Sequence, residues 1–231
     1  MKILITGAAG AIGTVLAKGL RDRHELRGFD CQEMPEIADA IVGDIGDFDQ
    51  VKSASEGMDA VIHLVNVPGG EWEHSLQSIV GTYNVFEAAK ECSVRRIAYA
   101  SRGGILPQSF YPRTIQRTVD MLPKPDSYYT ISKVFGESIA YMYSARFEME
   151  TVSVRIGNFK LDRDQPEHPH HLSHGDCVRV FEQAIIHPGI GFEVVFGVSD
   201  SDWPLYDLDH GRKAIGYHPQ DRSNVAEEDR K

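Results

Sequence analysis

Residues 1–13 read MKILITGAAGAIG. Lys2 to Thr6 is a short β-branched apolar run with no charge beyond Lys2, the composition of a strand buried on both faces. Gly7, Gly10 and Gly13 fall three apart, and Ala11 to Leu20 continues at helical spacing. A strand, a glycine turn and a helix in this order are what a dinucleotide site needs. Gly7 permits the tight turn, Gly10 lets the backbone approach a pyrophosphate, and Gly13 lets the helix pack close to the strand. The free N–H groups at the helix start, aided by its dipole, then hold phosphates. Glycine spacing alone is weak; its place between a strand and a helix gives it meaning.

Working outward, Glu25 to Phe29 reads as a second strand ending at Asp30, 23 positions after Gly7. That is near the ~20-residue interval at which a carboxylate takes the adenosine ribose hydroxyls. A carboxylate there also repels a 2′-phosphate, which favours NAD over NADP; the plainer reading is that Asp30 ends a strand. Arg27 precedes it within the strand and is poorly placed to clamp a phosphate. Ala40–Val42 predicts a third strand leading to Asp44, which can accept from an adenine amino group. Phe48–Ser55 predicts a helix, 59–64 (DAVIHL) a buried strand, 65–70 (VNVPGG) a loop, 73–92 a long helix and 96–100 (RIAYA) a fifth strand. Strands alternating with helices imply a parallel sheet with right-handed crossovers. The expected fold is α/β, a Rossmann-like doubly wound parallel sheet, with residues 1–157 as the NAD-binding core. Residues 158–231 are expected to form a small C-terminal substrate lobe of the same structural unit. Within it, 160–171 (KLDRDQPEHPHH) reads as a loop, Ser173 and Asp176 as a helix start, 192–196 as a strand and 207–215 as a last helix.

Length and charge narrow the field. A chain of 231 residues suffices for one well-buried core, and its 42% hydrophobic and 25% charged residues are those of an ordinary globular protein. A net charge of −10 repels phosphate backbones and anionic lipid, which argues against nucleic acid or membrane partners. Cys31, Cys92 and Cys177 are scattered and odd in number, which favours a reducing cytoplasm over a secreted setting. No run reaches membrane-spanning length.

Tyr129-Thr130-Ile131-Ser132-Lys133 places a phenol and an ammonium four apart, on one face of a helix. A nearby ammonium stabilises the phenolate, so Lys133 is expected to pull the Tyr129 pKa toward neutrality. Tyr129 then takes a proton from a substrate hydroxyl as hydride leaves the same carbon. Taken alone, such a pair is also common on solvated helices. Downstream of a dinucleotide turn it reads as catalytic.

These residues together resemble an extended short-chain dehydrogenase/reductase of the NAD-dependent epimerase/dehydratase kind: TGAAGAIG at 6–13, Asp30, Asp44-Ile45, the strand before Ser101, and YTISK at 129–133. VRIG at 154–157, SHGD at 173–176, FGVSDSD at 196–202 and Trp203 more narrowly resemble the uronate dehydrogenases, which oxidise C1 of a hexuronic acid to a lactone with NAD. The resemblance implies cofactor contacts from Gly7, Gly10, Ala11, Ile12, Gly13, Asp30, Asp44, Ile45, Leu64, Val65, Tyr129, Lys133 and Ile156. It also implies a catalytic hydroxyl at the end of the fifth strand, and a homodimer built on the helices at 73–92 and 128–143.

The substrate half departs from the pattern. Of two usual hydroxyl residues, the first is Ser101 and the second is Arg102; Gly103 and Gly104 stand where an Asn and a His bind sugar. Pro68 and Asn158 replace two further substrate-contacting serines. Ser101 takes the polarising role only if the strand end shifts by one residue, since neighbours on a strand face opposite ways. Arg102 reads either as a surface arginine or as a guanidinium holding a substrate carboxylate or the reacting oxygen. Arg102, Asn158 and Trp203 are the expected substrate contacts, although Trp203 and Tyr206 equally suit the filling of the lobe. His168, His170, His171 and His174 lack metal-ligand spacing and read as a solvated or lid loop, so no metal is expected. His63, inside an apolar strand, reads as a hydrogen-bonded core histidine.

The expected activity is NAD-dependent oxidation of a hydroxyl on a sugar or sugar acid. A nucleotide-sugar epimerase or dehydratase with transiently reduced NAD, and an NAD-binding regulatory protein without efficient chemistry, are the alternatives.

Overall fold

Ile3, Leu4 and Ile5 are all fully buried, yet Ile3 and Ile5 join one hydrophobic cluster and Leu4 another. Such alternation inside a continuous apolar run marks a strand covered on both faces. The computed structural model describes residues 1–230. This first strand, β1 (Lys2–Thr6), leads to α1 (Ala11–Leu20), β2 (Glu25–Asp30), β3 (Asp39–Val42), α2 (Phe48–Ser55), β4 (Ala60–His63), α3 (Trp72–Glu91) and β5 (Arg96–Arg102). A short 3₁₀ turn (Gly103–Ile105) precedes α4 (Tyr128–Phe147), β6 (Glu150–Ile156), α5 (His174–Ile186) and β7 (Phe192–Gly197). Then come β8 (Asp200–Ser201), α6 (Asp209–Ile215) and β9 (Arg222–Ser223).

The main sheet has seven parallel strands in the order β3-β2-β1-β4-β5-β6-β7. The chain winds outward from β1 to β3, returns to the far side of β1, and winds outward again to β7. Strand order therefore reverses between β1 and β4, and a doubly wound sheet opens its ligand crevice at that switch point, beyond the carboxyl ends of the strands. Helices α1 and α5 cover one face with Leu16, Leu20, Val180 and Phe181, while α2, α3 and α4 cover the other with Val51, Val85, Phe86 and Tyr143. The first cluster joins Val152, Val154 and Ile156 to Phe181, Val195 and Tyr217, so residues after 157 share the core of the sheet. The small pair β8–β9 is also parallel.

The expected elements differ from the observed ones mainly at their ends. β5 runs two residues further than the RIAYA segment, through Ser101 and Arg102, because both still pair with β6. Ser173 caps α5 as expected, its Oγ accepting from the Asp176 amide at 3.0 Å. Residues 160–171 contain no helix, and an isolated bridge between Asn158 and His171 folds the segment back along the end of β6. His63 is a core residue: Nδ1 and Nε2 reach the hydroxyls of Thr6 (2.7 Å) and Thr82 (3.1 Å), and burial lowers its pKa to about 3.

Between α4 and the sheet lies a buried ion pair. Arg155 of β6 donates from Nε and Nη2 to both oxygens of Glu137 at 3.0 and 2.9 Å, and from Nη1 to the Val119 carbonyl. Ser101 of β5 donates to the same carboxylate at 2.6 Å. Removing one partner of a buried pair leaves the other charge uncompensated at a cost of about 3–5 kcal/mol. Glu137→Ala should therefore lower the unfolding free energy by about that much in urea denaturation; a loss below about 1 kcal/mol would mean the arginine readily finds water.

Candidate active site

The glycine turn lies at the switch point. Gly7 adopts φ +79°, and a Cβ there would meet the Val65 amide nitrogen of the loop after β4 at 3.0 Å. A Cβ on Gly13 would stand 2.5 Å from the Ala8 carbonyl oxygen, so only glycine lets α1 approach the turn so closely. The helix begins at Gly10 with no side chain capping its first amides and no acid in its first turn. Those amides are left for a ligand, and the positive end of the helix favours an anionic one.

A cleft of about 1200 Å³ runs over this turn. Asp30, Asp44 and Ile45 line it where β2 and β3 end, followed by Gly7, Gly10, Ala11, Ile12 and Gly13, then Leu64, Val65 and Ile156, and finally Tyr129 and Lys133. All thirteen residues expected to contact the cofactor thus border one continuous space. Asp30 accepts from the Ala9 amide at 3.0 Å and the Gln32 amide at 3.1 Å, tying the glycine turn to β2 from the cleft wall. Asp30 thus ends its strand with a fixed carboxylate, whose roughly four acceptor sites leave capacity for ribose hydroxyls. Arg27 is elsewhere, paired with Asp39 at 2.9 Å and donating to the carbonyls of Ala54 and Glu56. These residues fit a dinucleotide extended from Asp30 to Tyr129.

At the far end, Tyr129 and Lys133 share the N-terminal face of α4, whose cap is Ser127. The Lys133 Nζ is buried 5.2 Å from the Tyr99 ring centroid and 5.7 Å from that of Tyr129. Its effect on the phenol differs from expectation. Burial raises the Tyr129 pKa, and the cation that opposes this is Arg102, whose guanidinium carbon lies 5.0 Å from the ring centroid. Burial, reinforced by Arg102, also lowers the Lys133 ammonium to about 8.

The substrate residues divide. Arg102, Asn158 and Ser101 border the cleft, but the Ser101 hydroxyl is committed to Glu137 and the residue is only 3% exposed. It faces α4 as strand alternation requires, so Ser101 is a structural residue here and not a polarising one. Trp203 is outside the cleft wall: it sits edge-on against His168, with centroids 5.8 Å apart, and fills the lobe. Tyr206 borders the cleft, as do Gln77, Phe159 and His170, which sequence reasoning did not place there. Phe159 and His170 arrive together because the Asn158 amide donates to the His170 carbonyl at 2.6 Å, bending the loop inward. No periodicity in that segment signals the bend.

Comparison with known proteins agrees with this geometry. The model of the NAD dependent epimerase/dehydratase family matches residues 3–177. The uronate dehydrogenase of Pseudomonas syringae pv. tomato is 36% identical over 97% of this chain and 83% of its own. The NAD-dependent glucose-6-phosphate dehydrogenase of Haloferax volcanii is 32% identical over 96% of this chain and 94% of its own. The crystal structure of a mutant uronate dehydrogenase from Agrobacterium tumefaciens complexed with NAD superposes with a TM-score of 0.87. It is 31% identical and is matched over 96% of this chain and 85% of that one.

The buried ammonium also makes stability depend on pH. The unfolded chain keeps the lysine proton up to about 10.4. Below about 8 the folded protein must bury a charge, and that cost fades as pH rises through the interval between the two values. Lys133→Met should stabilise the protein against urea at pH 7, with a gain that shrinks from about pH 8 upward. A gain independent of pH would show that Lys133 is not the titrating group.

Proposed function

The chain belongs to the NAD-dependent epimerase/dehydratase family, and we propose that within it this protein oxidises a hydroxyl of a sugar acid with NAD as acceptor. The observation that carries this reading is the single cleft joining the glycine turn to Tyr129 and Lys133. It is supported by relatives of both kinds, similar over nearly the whole chain, that are dehydrogenases. The epimerase and regulatory alternatives are not favoured.

The α1 amides would hold the pyrophosphate, Asp30 the adenosine ribose and Lys133 the nicotinamide ribose. NAD, when bound, supplies the hydride acceptor. Tyr129 Oη takes the substrate's hydroxyl proton as the C–H bond breaks, so the carbon leaves as a carbonyl and the two electrons leave with the hydride. Burial raises the phenol's pKa on balance and the Arg102 guanidinium opposes only part of that rise, so the acceptor is the phenolate fraction, which grows with pH. With D-glucuronate or D-galacturonate and NAD, NADH should accumulate. Tyr129→Phe should cut the rate by about 10²–10⁴ while NAD affinity by calorimetry is unchanged. Absence of turnover on both uronates and on the matching aldoses would remove the dehydrogenase reading.

We also propose that it works as a homodimer in a reducing cytoplasm, which suits three cysteines that form no disulfide. No helix among the described residues is long and apolar enough to cross a membrane. Helix α3 exposes Leu76, Val80 and Tyr83 at spacings of four and three, and the adjoining α4 exposes Tyr128 and Ile131. A continuous apolar face of this kind suits a second copy of itself. Light scattering should give twice the mass of 25.8 kDa, and Val80→Glu should give the monomer; a wild-type monomer at micromolar concentration would end this part of the proposal.

A further inference from the structure

The end of β5 carries an arginine without a carboxylate partner. Arg102 forms one hydrogen bond, from Nη1 to the Thr130 hydroxyl at 3.2 Å, and no ion pair among the described residues. That hydroxyl is itself fixed, donating to Asp126 at 3.1 Å and meeting the Ser127 hydroxyl at 2.8 Å, and Thr130 is fully buried. The guanidinium is thereby held over the Tyr129 ring on the cleft wall, with Nε and Nη2 unengaged.

Gly104 explains how it fits. The backbone at 104 is not left-handed, so conformation does not demand a glycine. What a side chain would do is move the arginine: a Cβ there would stand 2.6 Å from Arg102 Nε and 2.7 Å from its Cζ, and would also collide with Nη2. The guanidinium occupies the volume that a side chain at 104 would take. Its charge opposes the rise in pKa that burial causes in Tyr129, and adds to the larger effect of Arg117 in opposing that of Tyr206.

We propose that Arg102 is the specificity-determining residue of the substrate end, its guanidinium holding an anionic group, carboxylate or phosphate, on the sugar whose hydroxyl meets Tyr129. This rests on the dehydrogenase reading above. A guanidinium carries its donors in a rigid fork that suits either oxyanion, and Gly104 leaves the room in which it lies.

The test compares wild type with Arg102→Met, Arg102→Lys and Gly104→Ala on D-glucuronate, D-glucose 6-phosphate and D-glucose. Loss of a charge-assisted contact should lower kcat/KM for the anionic sugar by about 10- to 100-fold in Arg102→Met, mainly through KM. Glucose turnover should show only the smaller loss that all three sugars share through the higher Tyr129 pKa, and NAD affinity should hold steady. Gly104→Ala should reproduce the pattern by displacing the guanidinium, and Arg102→Lys should recover part of the loss. A further loss confined to glucuronate identifies a carboxylate, and one confined to glucose 6-phosphate a phosphate. Equal losses on glucose, or a parallel loss of NAD affinity, would overturn the assignment, as would a wild type that prefers glucose. Should wild type turn over none of the three, the dehydrogenase reading fails separately. Calorimetry of the NAD-loaded protein with glucuronate and glucose 6-phosphate then decides. Binding lost in Arg102→Met upholds the anion site; binding absent from wild type, or equal in both, refutes it.

Discussion

A carboxylate and a guanidinium buried between α4 and the sheet set the position of everything chemical in this protein. Glu137 and Arg155 are both less than a tenth exposed, and they satisfy one another through two hydrogen bonds while Ser101 completes the carboxylate's shell. Apolar packing alone would let a helix slide or roll on a sheet by small amounts. A paired charge in a medium of low dielectric tolerates far less displacement, because any shift leaves it unsatisfied. Glu137 lies one helical turn beyond Lys133, itself one turn beyond Tyr129, so the pin that fixes α4 also aims the phenol and the ammonium at the strand ends.

The same arrangement redistributes roles among residues that look interchangeable in the sequence. Ser101 belongs to the pin, so its hydroxyl serves the fold. Arg102, one position on, faces the cleft end and brings a permanent positive charge to Tyr129. Lys133 is so deeply buried that its own charge is weakened, and the arginine adds to that by like-charge repulsion. Two cations thus stand near one phenol: the lysine 5.7 Å from the ring centroid and beside Tyr99, the arginine 5.0 Å from it on the cleft wall.

The cofactor end contrasts with this substitution of roles. From Gly7 to Gly13, and on to Asp30, the cleft is bordered by close backbone approaches and a single carboxylate. Backbone N–H groups recognise phosphate whatever the neighbouring side chains are. The other end of the cleft is lined by residues of β5, α3, α4, β6 and the loop after it, side chains that can change without disturbing the sheet.

Much of the fold was legible beforehand, because strand, turn and helix periods are local properties of Lys2 to Leu20 and recur along the chain. The doubly wound parallel sheet followed from that alternation, while the strand order that places the switch point came from the structure. Local pattern did not reveal that Ser101 turns toward Glu137, that Trp203 is spent on His168, or that Phe159 and His170 bend into the site. Each of these depends on partners dozens of residues away and on which face of a strand end a side chain emerges. Chain order by itself determined where a dinucleotide can lie, since phosphate recognition is written in consecutive backbone atoms. Only tertiary packing decided which charge stands over Tyr129, since burial and distance act between residues that the sequence keeps apart.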